Sequence, residues 1–383
     1  MKTKTSFIKL FAVITTCALI NSAVAKEPAT PAKETKKPLV QIAILLDTSG
    51  SMEGLIEQAK SQLWRIVNEF AKAKQDGITP EVQVALYEYG KTSLRADQGW
   101  IRQIQPLTTD LDKISEELFA LRTNGGDEYC GWVIKTAVAE LAWSSAAETY
   151  KAIFIAGNEP FTQGPVNYAE SCKAAITKGI IVNTIHCGNE AEGINTKWKA
   201  GADLADGKYL VIDQNRAVVS IEAPQDKEIA KLGVELNKTY IAYGIEGRDG
   251  AARQERQDAN VATLSAASGA VAQRAVTKAS ANYRNSSWDL VDAFKDQSVD
   301  ISKMKAEELP AEMQKMNADE RKTYVEKNAK ERAEMQSKIA QLNGEREKYV
   351  AARLKEVAGT NTLDAVVISA VREQSAKRNF KFE

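Results

Sequence analysis

The segment that decides the fold is residues 40–52, which read VQIAILLDTSGSM. Its first seven residues form a nearly continuous apolar run, which is typical of a β-strand buried on both faces. The segment that follows, residues 53–74, has the spacing of an amphipathic helix, whose apolar stripe consists of Leu55, Ala59, Leu63, Ile66, Val67 and Phe70. A buried strand followed directly by such a helix indicates an α/β architecture.

The same alternation continues as far as residue 213. Further strands are predicted over residues 82–89, 101–107, 152–155, 180–185 and 209–212. Helices are predicted over residues 110–121, 128–143 and 168–178, and in a last segment that ends at residue 204. Gly179 stands where a helix C-cap is expected. This spacing predicts a doubly wound, mostly parallel sheet flanked by helices, a Rossmann-like fold over residues 38–213.

The second half of the chain is predicted to be mainly helical. We divide it into a helical region (214–305), a long charged helix (306–358) and a short helical tail (359–383). Its predicted helices cover residues 227–241, 253–283, 288–294, 319–356 and 363–374. In the long helix, Asn317 and Glu320 have the spacing of a capping box. Its apolar residues lie near a/d spacing, but the seam is interrupted by Asn328, Arg332 and Arg346. Packing on neighbouring helices is therefore favoured over a multichain coiled coil, which stays an alternative.

The first 37 residues have the composition of a targeting segment and a tether. A basic start precedes an apolar run over residues 7–20, and residues 22–25 (SAVA) form a small-x-small cleavage signal. We expect a signal peptide over residues 1–25, cleaved between Ala25 and Lys26, and a disordered linker over residues 26–37. Acylation at Cys17 is an alternative that Thr16 fits poorly. No later segment has the apolar length of a membrane span, so the expected location is the periplasm or the exterior.

The charge balance limits the classes of partner, and the number of cysteines limits the possible disulfides. The 51 Lys and Arg residues equal the 51 Asp and Glu residues, which argues against a nucleic-acid partner. Once Cys17 leaves with the signal peptide, Cys130, Cys172 and Cys187 remain. One disulfide and one free thiol is the simplest arrangement in an oxidising compartment. Cys172 with Cys187 is the first choice, although the sequence leaves the connectivity open.

Asp47, Ser49 and Ser51 follow the first buried strand in the pattern D-x-S-x-S. Doubly wound sheets bind their ligands at the carboxyl ends of parallel strands, which is where this loop falls. One carboxylate and two hydroxyls are hard oxygen donors that suit Mg²⁺, Mn²⁺ or Ca²⁺. The alternative is structural: the serines cap the helix and Asp47 turns the chain. We favour metal binding.

This motif, with a strand before it and a helix after it, resembles the metal-ion-dependent adhesion site of von Willebrand factor A (VWA) domains. The resemblance covers residues 40–213 and implies that a second loop supplies a threonine. Residues 123–128 read TNGGDE, so Thr123 is the candidate. Asp127 of the same loop is a further candidate, as a ligand directly or through water, or else as the N-cap of the next helix. The helical half resembles the extensions of exported VWA proteins.

The third loop departs from the family pattern. Where VWA domains usually have T-D-G-x-P, residues 156–160 read AGNEP. Gly157 therefore stands at the position of the usual aspartate, and Asn158 and Glu159 are out of register with it. The resemblance then implies a weaker metal site, or one that relies more on water.

No catalytic arrangement emerges from the sequence. The single histidine, His186, ends the strand 180–185, and we interpret it as a partly buried residue beside Cys187, in preference to a ligand or a base. Adjacent strand residues point to opposite faces, so these two do not form a catalytic pair. Ser49 lacks the G-x-S-x-G elbow of a hydrolase nucleophile. We therefore expect a binding module and no enzyme.

Three functional hypotheses follow, in order of preference. The first is a metal-dependent adhesion or assembly module of the bacterial cell envelope, in which Asp47, Ser49, Ser51 and Thr123 hold Mg²⁺ (or Mn²⁺ or Ca²⁺) and a carboxylate of a partner protein completes the coordination. The second is a helical scaffold or spacer with a vestigial metal site. The third is a hydrolase with a metal-activated water, for which only Asp127 and Glu159 offer a base.

Overall fold

The computed structural model describes residues 37–212, 221–264, 269–356 and 363–382. The predicted signal peptide, the alternative acylation site and all but the last residue of the predicted linker lie outside these ranges. The described ranges form one compact unit. Within the described ranges, no helix is both long and apolar enough to cross a membrane.

The centre of the fold is a six-stranded sheet, which confirms the predicted mostly parallel architecture. Its strands are β1 (Leu39–Asp47), β3 (Glu81–Tyr89), β4 (Ile101–Thr108), β5 (Tyr150–Gly157), β6 (Ile181–Cys187) and β7 (Tyr209–Ile212), in the spatial order β4-β3-β1-β5-β6-β7. Every neighbouring pair is parallel except β3 and β4, which are antiparallel. The central strand β1 contains the apolar run of residues 40–46. Successive side chains of this strand point to opposite faces of the sheet, and each face is covered by an apolar core.

Six helices flank this sheet: α1 (Glu53–Ala71), α2 (Leu111–Ala120), α3 (Cys130–Glu140), α4 (Tyr168–Thr177), α5 (Glu190–Asn195) and α6 (Trp198–Asp203). The helix predicted to reach residue 74 stops at Ala71, because Ala73–Lys74 form a short strand, β2. The last predicted helix is divided into α5 and α6 by Lys197, whose φ of 76° is incompatible with a continuous helix. Gly179, with a φ of 69°, ends α4 as predicted.

The helical half contains α7 (Asp226–Asn237), α8 (Gly247–Ala262), α9 (Ala270–Ala279), α10 (Leu290–Lys295), α11 (Ala318–Glu356) and α12 (Leu363–Ala376). The segment predicted as one helix over residues 253–283 is split between α8 and α9. At the start of α11 the predicted capping box is present: Glu320 N–H donates to Asn317 Oδ1 over 3.0 Å, and Asn317 N–H donates to Glu320 Oε2 over 2.8 Å.

The C-terminal helix α12 returns to the sheet and completes its core. Val367 and Val371 are buried in the same apolar cluster as α1. Below them, Gln374 accepts a hydrogen bond from the Tyr150 hydroxyl (2.8 Å) and donates one to Asn183 Oδ1 (2.7 Å). The following strand, β8 (Lys381–Phe382), pairs with β2. Helices α7–α11 are therefore an insertion between β7 and the last helix of the sheet domain.

Buried polar contacts dock this insertion on the sheet domain and hold its helices together. Arg274 of α9 donates to Asp112 of α2 over 2.6 Å, and both side chains are buried. Within the insertion, Arg332 of α11 donates to Asp289 over 2.6 Å and to the carbonyl oxygen of Thr239 over 2.7 Å. The arginine that interrupts the apolar seam of α11 is thus one of its contacts with neighbouring helices. This packing agrees with the favoured interpretation of that helix.

The predicted disulfide is wrong. Cys130, Cys172 and Cys187 are all free thiols, and all three are buried. Cys172 of α4 belongs to the core on one face of the sheet, whereas Cys187 at the end of β6 belongs to the core on the other. The sheet itself separates the two sulfur atoms.

Candidate metal site at the carboxyl ends of the strands

The loop after β1 collects unpaired oxygen atoms. Asp47 is fully buried; its Oδ1 accepts the backbone N–H of Ser49 over 2.7 Å, and its Oδ2 has no hydrogen-bond partner in the structure. The hydroxyl oxygens of Ser49 and Ser51 lie 3.3 Å apart. The three residues of the D-x-S-x-S motif therefore contact one another, and a buried carboxylate oxygen without a donor would be stabilised by a positive partner.

The second loop lies against the first. The N–H of Asn124 donates to the carbonyl oxygen of Thr48 over 3.0 Å, which brings the preceding residue, Thr123, beside the motif. Asp127 is exposed, and its Oδ2 accepts a long hydrogen bond (3.4 Å) from the Tyr129 hydroxyl. Helix α3 begins only at Cys130, with Tyr129 at its N-cap position, so the alternative role of Asp127 as an N-cap is wrong.

Glu128 was predicted to be a helix residue, but it lies in this loop, and its side chain is buried near Asp47. A Cβ placed on Gly90 would lie 2.7 Å from Glu128 Cγ and 2.9 Å from Asp47 Oδ1, so both carboxylates pack over the same glycine. Glu128 is 5% exposed, and its N–H donates to Gln163 Oε1 over 2.9 Å. The sequence signal was the adjacent Asp-Glu pair; which of the two points inward depends on where α3 begins.

Packing around Gly157 in the third loop accounts for the absence of the aspartate that the family pattern has there. A Cβ on Gly157 would lie 2.6 Å from the Tyr89 hydroxyl and 3.1 Å from Asp47 Oδ2. Tyr89 donates to the carbonyl oxygen of Ala156 over 2.9 Å and so occupies the space that an aspartate at this position would need. Asn158 nevertheless reaches the motif: its Nδ2 donates to Ser51 Oγ over 3.0 Å, and its buried Oδ1 has no partner.

The electrostatics of the site favour a cation. Burial raises the pKa of Asp47 to about 7, and the charge of Glu159 adds to the effect. Burial, then the charges of Asp47 and Glu159, raise the pKa of Glu128 to about 8. In the described part of the chain, no three acidic, histidine or cysteine side chains are grouped to hold a metal by themselves. The residues nevertheless fit a hard cation bound partly by hydroxyl and amide oxygens, because Asp47 and Asn158 each have a buried oxygen without a partner and each contacts a serine of the motif.

His186 lies next to this face of the sheet and is packed as an apolar side chain. It pairs in register with Gly157, is 1% exposed, and its ring centroid lies 5.7 Å from that of Trp198. Burial lowers the pKa of the imidazole, which favours its neutral form. It is more deeply buried than the sequence indicated.

Gly157→Ala is expected to destabilise the fold by about 1–3 kcal/mol, because the new methyl group would overlap the Tyr89 hydroxyl. Gly344→Ala is the matched control, since nothing lies within 4 Å of a Cβ there and alanine is the better helix former. Urea unfolding measures both variants. Adding Tyr89→Phe should recover part of the loss at position 157; equal stability of the two alanine variants would contradict this account of the third loop.

A doubly wound sheet with this loop after its central strand is the architecture of a VWA domain, and comparison with known families agrees. The model of the von Willebrand factor type A domain matches residues 41–196. These residues form a VWA domain. Strand β7, the insertion α7–α11 and helix α12 follow these residues in sequence.

Solved structures are similar to this chain in fold alone. The conserved hypothetical protein BatB from Bacteroides thetaiotaomicron is 18% identical, with a TM-score of 0.35 over 45% of this chain and 90% of its own. An aerotolerance-related membrane protein from Bacteroides fragilis is 16% identical, with a TM-score of 0.32 over 45% of this chain and 92% of its own. The SpRpn10 VWA domain is 15% identical, with a TM-score of 0.34 over 45% and 88%. A comparison with curated proteins found no match.

Proposed function

We propose that this protein is a divalent-metal-dependent protein-binding module and that it is not an enzyme. The observation that carries the proposal is the buried Asp47 Oδ2, which has no hydrogen-bond partner, in the loop whose two serine hydroxyls lie 3.3 Å apart. Asn158 contacts Ser51 Oγ through its Nδ2, and its own buried Oδ1 also has no partner. Domains of the VWA family are typically protein-interaction modules. Unpaired hard oxygens on such a domain support a role for a bound ion in that interaction.

The residues that would hold the ion come from three loops. Asp47, Ser49 and Ser51 are the first set, and Thr123 is the candidate from the second loop. Asn158 would supply a neutral oxygen where the family has a carboxylate, so the site carries less negative charge and should bind Mg²⁺, Mn²⁺ or Ca²⁺ less tightly. The bound ion would supply a concentrated positive charge that attracts an acidic side chain of the partner.

Two further acidic residues have supporting roles in this proposal. Glu128 lies within hydrogen-bonding reach of the Ser49 side chain, so it would orient that hydroxyl toward the ion. Asp127 is exposed at the edge of the loop, where it would act through water or contact the partner directly. Because a signal peptide is predicted over residues 1–25, we propose that the interaction takes place in the bacterial cell envelope or outside the cell.

The test is capture of a partner protein under conditions that distinguish loss of the bound ion from loss of the fold. Immobilised wild-type protein, Asp47→Asn and the surface control Asp203→Asn are incubated with a cell-envelope extract in millimolar MgCl₂ or in EDTA. We expect one or more proteins to be retained by the wild type and the control in Mg²⁺, and released by EDTA. Asp47→Asn should retain them at least tenfold less.

Two outcomes would count against the proposal. Retention that is the same in EDTA, or the same for Asp47→Asn, would exclude an ion at this loop as the recognition element. The alternative hypothesis, a helical scaffold with a vestigial metal site, predicts that result, with retention that depends on the charged surface of α11 instead.

A further inference from the structure

A polar pocket of about 250 Å³ lies at the end of the sheet opposite to the metal loop. It opens at the start of β3, beside Asp110, and its other wall is the segment that follows α9. The volume is several times that of one water molecule, which occupies roughly 30 Å³ of liquid. The pocket can therefore hold a small organic molecule, between the VWA domain and its insertion. Its lining includes Lys37, Asp110, Asn282, Arg284, Asn285 and Trp288.

Asn285 presents a donor that has no acceptor. Its Oδ1 accepts the indole N–H of Trp288 over 3.2 Å, which fixes the orientation of the amide. The opposite end of the amide, Nδ2, is buried and has no partner, and the residue is 7% exposed. A buried N–H without an acceptor costs about 1–3 kcal/mol, so a ligand oxygen that reaches it would be favoured.

Asn282 adds a second unpaired amide to the same wall. It is 7% exposed, and neither Nδ2 nor Oδ1 has a hydrogen-bond partner. Its backbone N–H is satisfied by Ser280 Oγ at 3.3 Å, so the deficit is confined to the side chain. Two unpaired amides that line one pocket are unusual, because buried side-chain polar atoms are normally hydrogen-bonded.

The pocket is lined by more unpaired hydrogen-bond donors than unpaired carboxylate acceptors. Burial and then the charge of Arg284 lower the pKa of Lys37, and the charge of Glu81 opposes this effect. Arg284 itself is paired with Asp296. The two carboxylates of the pocket are already engaged. Glu81 accepts from Gln83 Nε2 over 3.0 Å, and Asp110 accepts the N–H of Lys113 over 3.0 Å and lies 3.3 Å from Arg253.

We propose that this pocket is a binding site for a small molecule that carries an oxyanion, a carboxylate or a phosphate. The ammonium group of Lys37 and the amide donors of Asn282 and Asn285 would bind the anionic oxygens, as cationic and amide donors do in oxyanion sites generally. The site is independent of the metal loop, because it lies at the opposite ends of the strands and uses none of the same residues.

The experiment uses the chain from Lys26 onward in EDTA, with sodium phosphate or sodium acetate as the probe and sodium chloride of equal ionic strength as the reference. Titration calorimetry gives the dissociation constant, and thermal unfolding gives the stabilisation. We expect at least one oxyanion to raise the melting temperature above the chloride reference. A response to phosphate alone, or to acetate alone, identifies which oxyanion the site takes.

Two variants locate the binding. Lys37→Gln should weaken it about tenfold, the usual effect of losing one charged hydrogen bond. Asn282→Leu should abolish it and leave the ligand-free protein as stable as the wild type or more so, because it removes a buried amide without partners. Asn343→Leu is the matched control and should bind the oxyanion normally. Asn343, on α11, is also a buried asparagine, and its Oδ1 has no partner. No oxyanion response in the wild type, or the same response in Lys37→Gln, would overturn the proposal.

Discussion

Arg274→Ala is expected to lower the free energy of unfolding by about 3–5 kcal/mol, the usual cost of removing one partner from a buried ion pair. Arg274 is 2% exposed, donates to Asp112 of α2 and to Asp258 of α8, and its guanidinium lies 4.9 Å from the ring of Trp64 on α1. The alanine variant would leave Asp112 without its cation in a buried setting, whereas Asp258 keeps its ion pair with Lys278. It would also remove one buried contact of the insertion with α2 and another with α1.

Arg253→Ala is the matched control, because Arg253 also joins α8 to α2 but does so near the surface. Its side chain is 25% exposed, and it lies 3.1 Å from Glu116 and 3.3 Å from Asp110. An exposed pair of this kind contributes about 1 kcal/mol or less. Urea unfolding should give one transition for the wild type, since the insertion and the sheet form one unit. If Arg274→Ala costs no more than Arg253→Ala, the insertion is not held by this cluster.

The parts of the fold that the sequence predicted are those encoded by local spacing. The apolar run of residues 40–46 and the 3.6-residue stripe of α1 are properties of single segments, so they survive in the structure with changes of a few residues. The mostly parallel character of the sheet then follows from the alternation of strands and helices, whereas the order of its strands was not predicted. The capping box at Asn317 is local in the same sense, and both of its hydrogen bonds are present.

The parts that the sequence could not give depend on long-range packing. Whether Asp127 or Glu128 points toward Asp47 depends on where α3 starts, and that start is set by packing and not by the TNGGDE loop itself. The disulfide failed for a related reason: a sheet separates Cys172 from Cys187, although they lie in successive elements of the chain. Likewise, Arg332 reads as an interruption of an apolar seam until its partners Asp289 and Thr239, more than 40 residues away in the chain, are known.

Asp47→Asn is expected to stabilise the metal-free protein at neutral and alkaline pH. The pKa of Asp47 is raised from 3.8 to about 7 by burial, so between these values the folded state binds more protons than the unfolded state. The stability of the wild type should therefore fall as the pH rises from 4 to 7 and then level off. The asparagine variant lacks this loss, and its amide oxygen can still accept the N–H of Ser49.

The difference should reach at most roughly 4 kcal/mol above pH 7, since each pH unit of difference in pKa corresponds to 1.36 kcal/mol. It should be small near pH 4, where the carboxyl group is protonated in the folded state and about half protonated in the unfolded state. Urea unfolding in EDTA at pH 4, 6 and 8 measures it, and Asp206→Asn, at an exposed turn, is the control that should show no such trend. A variant that is less stable than the wild type at pH 8 would contradict the claim that the buried carboxylate lacks a cationic partner.

Thermal unfolding with and without divalent ions tests the metal site most directly. The chain from Lys26 onward and its Asp47→Asn variant are unfolded at pH 8 in EDTA and then in millimolar Mg²⁺, Mn²⁺ or Ca²⁺. An ion present at 100 times its dissociation constant should stabilise the wild type by about 2.7 kcal/mol, a shift of several degrees, and should leave the variant unchanged. No shift with any of the three ions, or an equal shift in Asp47→Asn, would contradict a metal site at Asp47, Ser49 and Ser51.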